Sequence, residues 1–199
     1  RSRLYALACS SPQPAGLPTK SLPLSKESPG TPIRASGQWS ERKNQLLLQF
    51  LALGQAFMQL KKASGQSLLV GPAIPFWLDG IALEWNGRNK PVSEHVIDIY
   101  DYVALMDYRD HAGGGDGIIA HAKDEMAYAG RHSRKVVIGV EVTPNELLKV
   151  SFNHLTEPDM ERELALTEKA FQGQQAFAGF AIHHYRGYRV WLERERPKD

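Results

Sequence analysis

The residues in this chain that could do chemistry gather where apolar runs end. Trp77 and Asp79 follow the first such run, and Asp107, Tyr108, Arg109 and Asp110 follow the second. Glu141 closes the third, and His183, His184, Tyr185 and Arg186 close the fourth. A carboxylate ending a buried apolar run has a raised pKa if desolvated, and Trp and Tyr offer flat apolar faces to a sugar-like ring. Glu141, at the end of Val136-Val137-Ile138-Gly139-Val140, is the first choice for a catalytic carboxylate, with Asp107 and Asp110 next. Trp77, Asp79, Tyr108, Arg109, His183, His184 and Tyr185 are the expected ligand contacts. The competing structural reading gives Glu141 a salt bridge to Arg109 or Arg186 and buries the aromatic rings, as it does Trp191.

Neighbouring residues on a strand point to opposite faces, so only one of His183 and His184 is expected to look inward. That histidine with Asp79, Asp107 and Glu141 would make a metal set, but no His-x-His occurs and every ligand would come from a different strand, so no metal is assigned. His95, His111, His121, His132 and His154 fall on predicted helices or loops and are expected to be solvated.

The elements that must position these residues alternate. Residues 44–64 carry Leu46, Phe50, Leu53, Phe57 and Leu60 on one stripe, widened by Leu47, Leu51 and Met58, which predicts a core helix. Residues 67–74 then read as a buried strand. A loop and a short helix over 93–100 follow, then a strand over 101–108. Gly113, Gly114, Gly115 and Asp116 open a helix closed by Gly130. A third strand covers 135–142. Thr156, Glu157, Pro158 and Asp159 resemble a capping box before a helix carrying Met160, Leu164 and Phe171. A fourth strand covers 177–185, and 188–194 make a last helical turn or two. The strands are near-continuous apolar runs, the pattern of strands covered on both faces, and the intervening helices supply crossovers, so the expected fold is α/β with a parallel sheet. No Gly-x-Gly-x-x-Gly follows any strand, and no cofactor is expected.

Composition narrows the classes further. With 199 residues and 42% hydrophobic content the chain can bury a sizeable core. Its net charge of +2 is scattered rather than clustered, which argues against nucleic acid as a partner. The 44–64 helix is too polar to span a bilayer, and no transmembrane segment is expected. Residues 10–37 hold six Ser, six Pro and three Gly. Such a segment cannot offset its ordering entropy, so 1–40 is expected to be a Ser/Pro-rich disordered leader and 41–199 the folded domain. The lone Cys9 cannot form an internal bridge. Residues 4–11 resemble the end of a bacterial lipoprotein signal, a leaning toward an exported protein that leaves the compartment open.

The runs Val103-Ala104-Leu105-Met106-Asp107-Tyr108, Lys135-Val136-Val137-Ile138-Gly139-Val140 and Gly179-Phe180-Ala181-Ile182 resemble strands six to eight of a glycoside-hydrolase TIM barrel, nearest in pattern to the chitinase type. The likeness spans residues 44–199. Met106-Asp107-Tyr108 matches that family's sixth-strand motif, with Arg109 at the position of its Asp and Asp110 one further on. The eighth strand offers His183, His184 and Tyr185 where the family usually presents a Trp, and the Asp-x-x-Asp-x-Asp-x-Glu signature of strand four does not occur. A full barrel takes about 250 residues, so the resemblance implies its C-terminal half, a partial (β/α)8 barrel of strands five to eight. By that likeness Glu141 stands where retaining glycosidases place a nucleophile. A sugar would bind at the C-terminal rim of the strands, and the partner would be a missing N-terminal half or a second copy. Two other functions compete: a non-catalytic carbohydrate-binding or cell-envelope protein, and a metal-dependent barrel hydrolase using His183 or His184.

Overall fold

A computed structural model describes residues 5–7 and 37–195. Cys9 and the Ser/Pro-rich stretch lie outside the described residues. The main sheet has five strands, all parallel: β2 (Ala73–Pro75), β5 (Tyr102–Met106), β6 (Lys135–Glu141), β7 (Phe177–His183) and β1 (Tyr5–Leu7), in that spatial order. From β2 through β7 each strand is added on the same side of the previous one, with helices α2 (Val92–Ile99), α3 (Ile118–Arg131) and α4 (Glu157–Ala170) between them. A doubly wound sheet would reverse at a switch point. This sheet does not, and its winding is that of a partial (β/α) barrel. Tyr5–Leu7 pairs beyond β7, with Tyr5 opposite Phe180 and Leu7 opposite Ile182.

The core lies on one side of the sheet. On β5, Val103 and Leu105 are fully buried, whereas Tyr102, Ala104 and Met106 are only half-buried. On β7, Phe180 and Ile182 are buried, and Ala181 and His183 between and after them are not. The buried set meets Val96, Ile97, Ala122, Met126, Leu164 and Trp191 from the helices. The expectation that both faces are covered is therefore corrected for β5 and β7, whose second face is only half-buried, whereas on β6 Gly139 and Glu141 of that same face are buried. Hydropathy conceals this because the half-buried positions are apolar too, as at Ala104, Met106 and Ala181, so the run shows no alternation of polarity.

Helix α1 (Gly37–Ser64) also departs from its reading as a core helix. It packs on α2 through Leu51, Leu47 and Phe50, and Gly54 lies so close to Tyr100 that a Cβ there would sit 2.6 Å from the phenolic oxygen. Leu46, Leu53, Phe57 and Leu60 face away, with Leu53 and Leu60 each 70% exposed. Helical periodicity reveals that residues share a face but not that anything covers it.

The first predicted strand is shorter than its apolar run. Only Ala73–Pro75 pair with β5, while Leu68 and Leu69 are exposed. Asp101 ties the preceding chain down by accepting from the Val70 amide at 2.7 Å and pairing with Lys61. The loop after β2 holds an antiparallel hairpin, β3 (Ala82–Trp85) and β4 (Arg88–Pro91). Its two-residue turn, Asn86-Gly87, takes positive φ at both positions (51° and 73°), and this dipeptide was a legible hairpin signal. Helix α4 starts on the expected capping box, Thr156 accepting from the Asp159 amide and Asp159 accepting in return. Helix α5 (Tyr185–Glu195) begins three residues earlier than predicted, so Tyr185 belongs to it and not to the strand.

Candidate active site at the strand ends

Two carboxylate–histidine pairs lie at the C-terminal ends of neighbouring strands, on opposite faces of the sheet. The first is Glu141 and His183, register partners at the ends of β6 and β7. The Glu141 Oε1 accepts three hydrogen bonds at 2.8 Å each, from the amides of Val142 and Thr143 and from the Thr143 hydroxyl. His183 Nδ1 donates to Oε2 at 2.8 Å. Both carboxylate oxygens are engaged, and neither Arg109 nor Arg186 pairs with this group, so the expected salt bridge is replaced by the histidine. The His183 side chain is 43% exposed. With Nδ1 turned to the carboxylate, its Nε2 has no hydrogen-bond partner among the described residues.

Tyr108 completes this side, its ring 5.9 Å from that of His183. Burial pushes its hydroxyl pKa up, and the charge of Glu141 pushes it in the same direction. His184 does not point to the far face as expected. Its ring lies edge-on to His183 at 5.2 Å, and its Nδ1 accepts from the Gly187 amide at 3.2 Å in the first turn of α5. Tyr185 is exposed beside it.

The second pair is Asp107 and His121, on the helix-covered side. Asp107 is fully buried. Its Oδ1 lies 3.1 Å from His121 Nδ1, and its Oδ2 has no partner. His121 Nε2 reaches Asp116 at 3.2 Å, and the ring stacks on Phe76 at 4.0 Å. Arg109 donates twice to the same Asp116 oxygen, at 3.0 and 2.7 Å, and once to the Tyr108 carbonyl, while its guanidinium lies 5.1 Å over Phe76. Hydrogen bonds from Arg109 and Lys149 hold the Asp116 carboxyl well below the usual carboxylate range.

Burial pushes Asp107 up to about 8, against the opposing charge of Arg109. Glu125, one turn beyond His121 on α3, is buried with neither oxygen partnered and is likewise pushed up to about 8, chiefly by burial. His121 and His95 are thus corrected from solvated to enclosed, and His95 Nε2 lies 2.9 Å from the Leu83 carbonyl oxygen. Asp110 is engaged by His111 at 2.6 Å and His154 at 3.2 Å. Trp77 is exposed in the 3-10 turn Phe76–Gly80 after β2, while Asp79 from that turn borders a separate cleft with Ser93, Glu94, Asp124 and Arg131.

Of the residues singled out in the sequence, Glu141, His183 and Tyr108 come together on the open face. Asp107 and Arg109 join a cluster behind the sheet. The sequence reading missed Thr143, Asp116, His121 and Glu125. Glu125 was detectable, because it falls on the buried stripe Ile118, Ala122, Glu125, Met126 and Ala129, where a carboxylate is out of place. Among the described residues no group of three or more His, Cys, Asp or Glu side chains is arranged to hold a metal ion, and no helix is long and apolar enough to cross a membrane. Comparison with known proteins gave no match: no family model matches the chain, nor does any curated protein or solved structure.

Proposed function

We propose that the open-face rim of this sheet is a carbohydrate site of the glycoside-hydrolase kind, centred on Glu141. One observation carries the reading: Glu141 and His183 stand 2.8 Å apart at the C-terminal ends of adjacent parallel strands, beside Tyr108, on the face no described helix covers. In singly wound parallel folds that end of the strands is where ligands bind. Glu141 orients His183 and supplies the negative charge of the site. His183 offers Nε2 for proton transfer or for a sugar hydroxyl, and Tyr108 and Trp77 offer rings for the C–H faces of a sugar.

Glycoside hydrolysis by the usual routes needs two carboxylates about 5–10 Å apart. Asp107 is fully buried on the other face of the sheet, and Asp110 is held between His111 and His154. A hydrolase would therefore draw its second carboxylate from residues beyond those described or from a second chain. This favours, as a second reading, a rim that binds carbohydrate without cleaving it.

Ligand-observed NMR against a panel of methyl glycosides, with 4-nitrophenyl glycosides assayed for turnover, tests both readings. The expected result is binding that weakens about tenfold or more in Glu141→Gln, since a charge-assisted contact is lost. Turnover separates the hydrolase from the binding protein. Binding of no glycoside, or binding unchanged in Glu141→Gln, overturns the carbohydrate assignment.

A further inference from the structure

Thr143 and His184, which contact Glu141 and His183, also form one wall of a cleft of about 540 Å³. The opposite wall is a single face of α5, on which Arg186, Gly187, Val190, Trp191 and Arg194 recur at helical spacing. Val142, Pro144 and Asn153 close the remaining side. The cleft is narrow at Gly187, where a Cβ would lie 2.6 Å from the Thr143 methyl carbon, so the absence of a side chain lets α5 approach the β6 loop.

The charge of this cleft has one sign. Among the described residues no Asp or Glu lines it, whereas Arg186 and Arg194 do. Arg194 is fixed in place by donating to the Asn153 carbonyl at 2.6 Å. Arg186 is exposed and forms no ion pair among the described residues. The other lining groups, Val142, Pro144 and Val190, are apolar. A cationic mouth over an apolar wall selects a ligand with an anionic group on a partly apolar body, and guanidinium favours carboxylate and sulfate oxygens through paired hydrogen bonds.

We infer that the cleft between α5 and the β6 loop is a subsite for the anionic group of an acidic sugar, a uronate carboxylate or a sugar sulfate, held by Arg186 next to the Glu141–His183 pair. This rests on the carbohydrate reading of the rim and names its substrate class. The negative Glu141, its oxygens already occupied by donors, would otherwise disfavour an acidic sugar. The arginines offset that repulsion on the side where the cleft opens.

The test compares methyl β-glucoside, methyl β-glucuronide and glucose 6-sulfate, with sodium acetate and sodium sulfate as simple anions, by NMR titration at low and high NaCl. The Trp191 indole N–H and the Gly187 amide serve as reporters. One or both acidic sugars are expected to bind about tenfold more tightly than the glucoside, with an advantage that shrinks in salt and falls within about twofold in Arg186→Gln. A preference for the glucuronide assigns the anion as a carboxylate, and a preference for the 6-sulfate assigns it as a sulfate. Equal affinity for neutral and acidic sugars, or an advantage intact in Arg186→Gln, overturns the inference. If no sugar binds but acetate or sulfate moves the reporters in the wild type and not in Arg186→Gln, the anion subsite stands and the carbohydrate reading falls. If nothing moves the reporters, both fall.

Discussion

Glu141–His183 and Asp107–His121 are built from the same two kinds of side chain at the ends of neighbouring strands, yet they have different chemistry. Glu141, like Asp107, is buried, but there two backbone amides, a hydroxyl and an imidazole donate to it. Asp107 ends the packed face, with one oxygen on a histidine and the other without a donor, and Glu125 lies behind it with none. Burial without donors disfavours the ionised form, so Asp107 and Glu125 are pushed up to about 8 while Glu141 is surrounded by donors. The difference comes from strand parity, because one step along a strand moves a side chain from the open rim to the helix layer. A carboxylate at a strand end is thus a candidate for chemistry only on the side a ligand can reach.

The largest expected effect probes the two faces directly. Leu105→Ala removes a fully buried side chain from the packed face and should cost about 2–5 kcal/mol in urea unfolding. Met106→Ala, one residue on and facing the open side, should cost only about 1 kcal/mol. Equal losses would mean that the open face is as well covered as the other.

Next is the pH dependence of the buried acids. Asp107 and Glu125 rise from ordinary values of 3.8 and 4.5 to about 8 in the fold. Between those limits the unfolded chain has released protons that the native state retains, so stability must fall as pH rises through the interval. Their share is whole below about pH 4 and lost above about pH 8. The double variant Asp107→Asn, Glu125→Gln should flatten that slope, recovering on the order of a few kcal/mol near pH 8. A wild-type stability that rises from pH 4 to 8 would mean that water or a donor reaches these groups.

The smallest effect is spectroscopic. Burial, reinforced by the charge of Arg109, holds the His121 pKa below 6.5, against the pull of Asp116. Its Cε1 proton should therefore titrate below that pH in an NMR series. A midpoint above 6.5 would place His121 in solvent and erase the contrast between the two pairs.

Much of the fold was legible because local rules set it. The apolar runs at 101–108, 135–142 and 177–185 became β5, β6 and β7 with their ends moved by two residues or fewer, and Thr156 caps α4. The alternation of helix and strand implied parallel pairing, and the sheet is parallel. The α1 stripe was read correctly as a helix face and wrongly as core, because periodicity carries no information about neighbours. Asn86-Gly87 is a local hairpin signal of the same kind, and it forms the turn between β3 and β4.

For the candidate site, Glu141, Tyr108 and His183 stand out by residue type and strand-end position, and the structure brings these three together. Which of the neighbouring acids shares a face with them was not visible. That depends on the register of β5 against β6 and on where α3 lies, contacts between residues far apart in the chain. The same holds for His121, which reaches Asp107 only because α3 folds back over the strand that precedes it. The sequence by itself determined an α/β alternation and a row of reactive side chains at the ends of its strands. The tertiary structure alone decided which of those side chains share a face and which donors reach them, because strand register and helix packing set each group's neighbours and burial without donors changes what a carboxylate is.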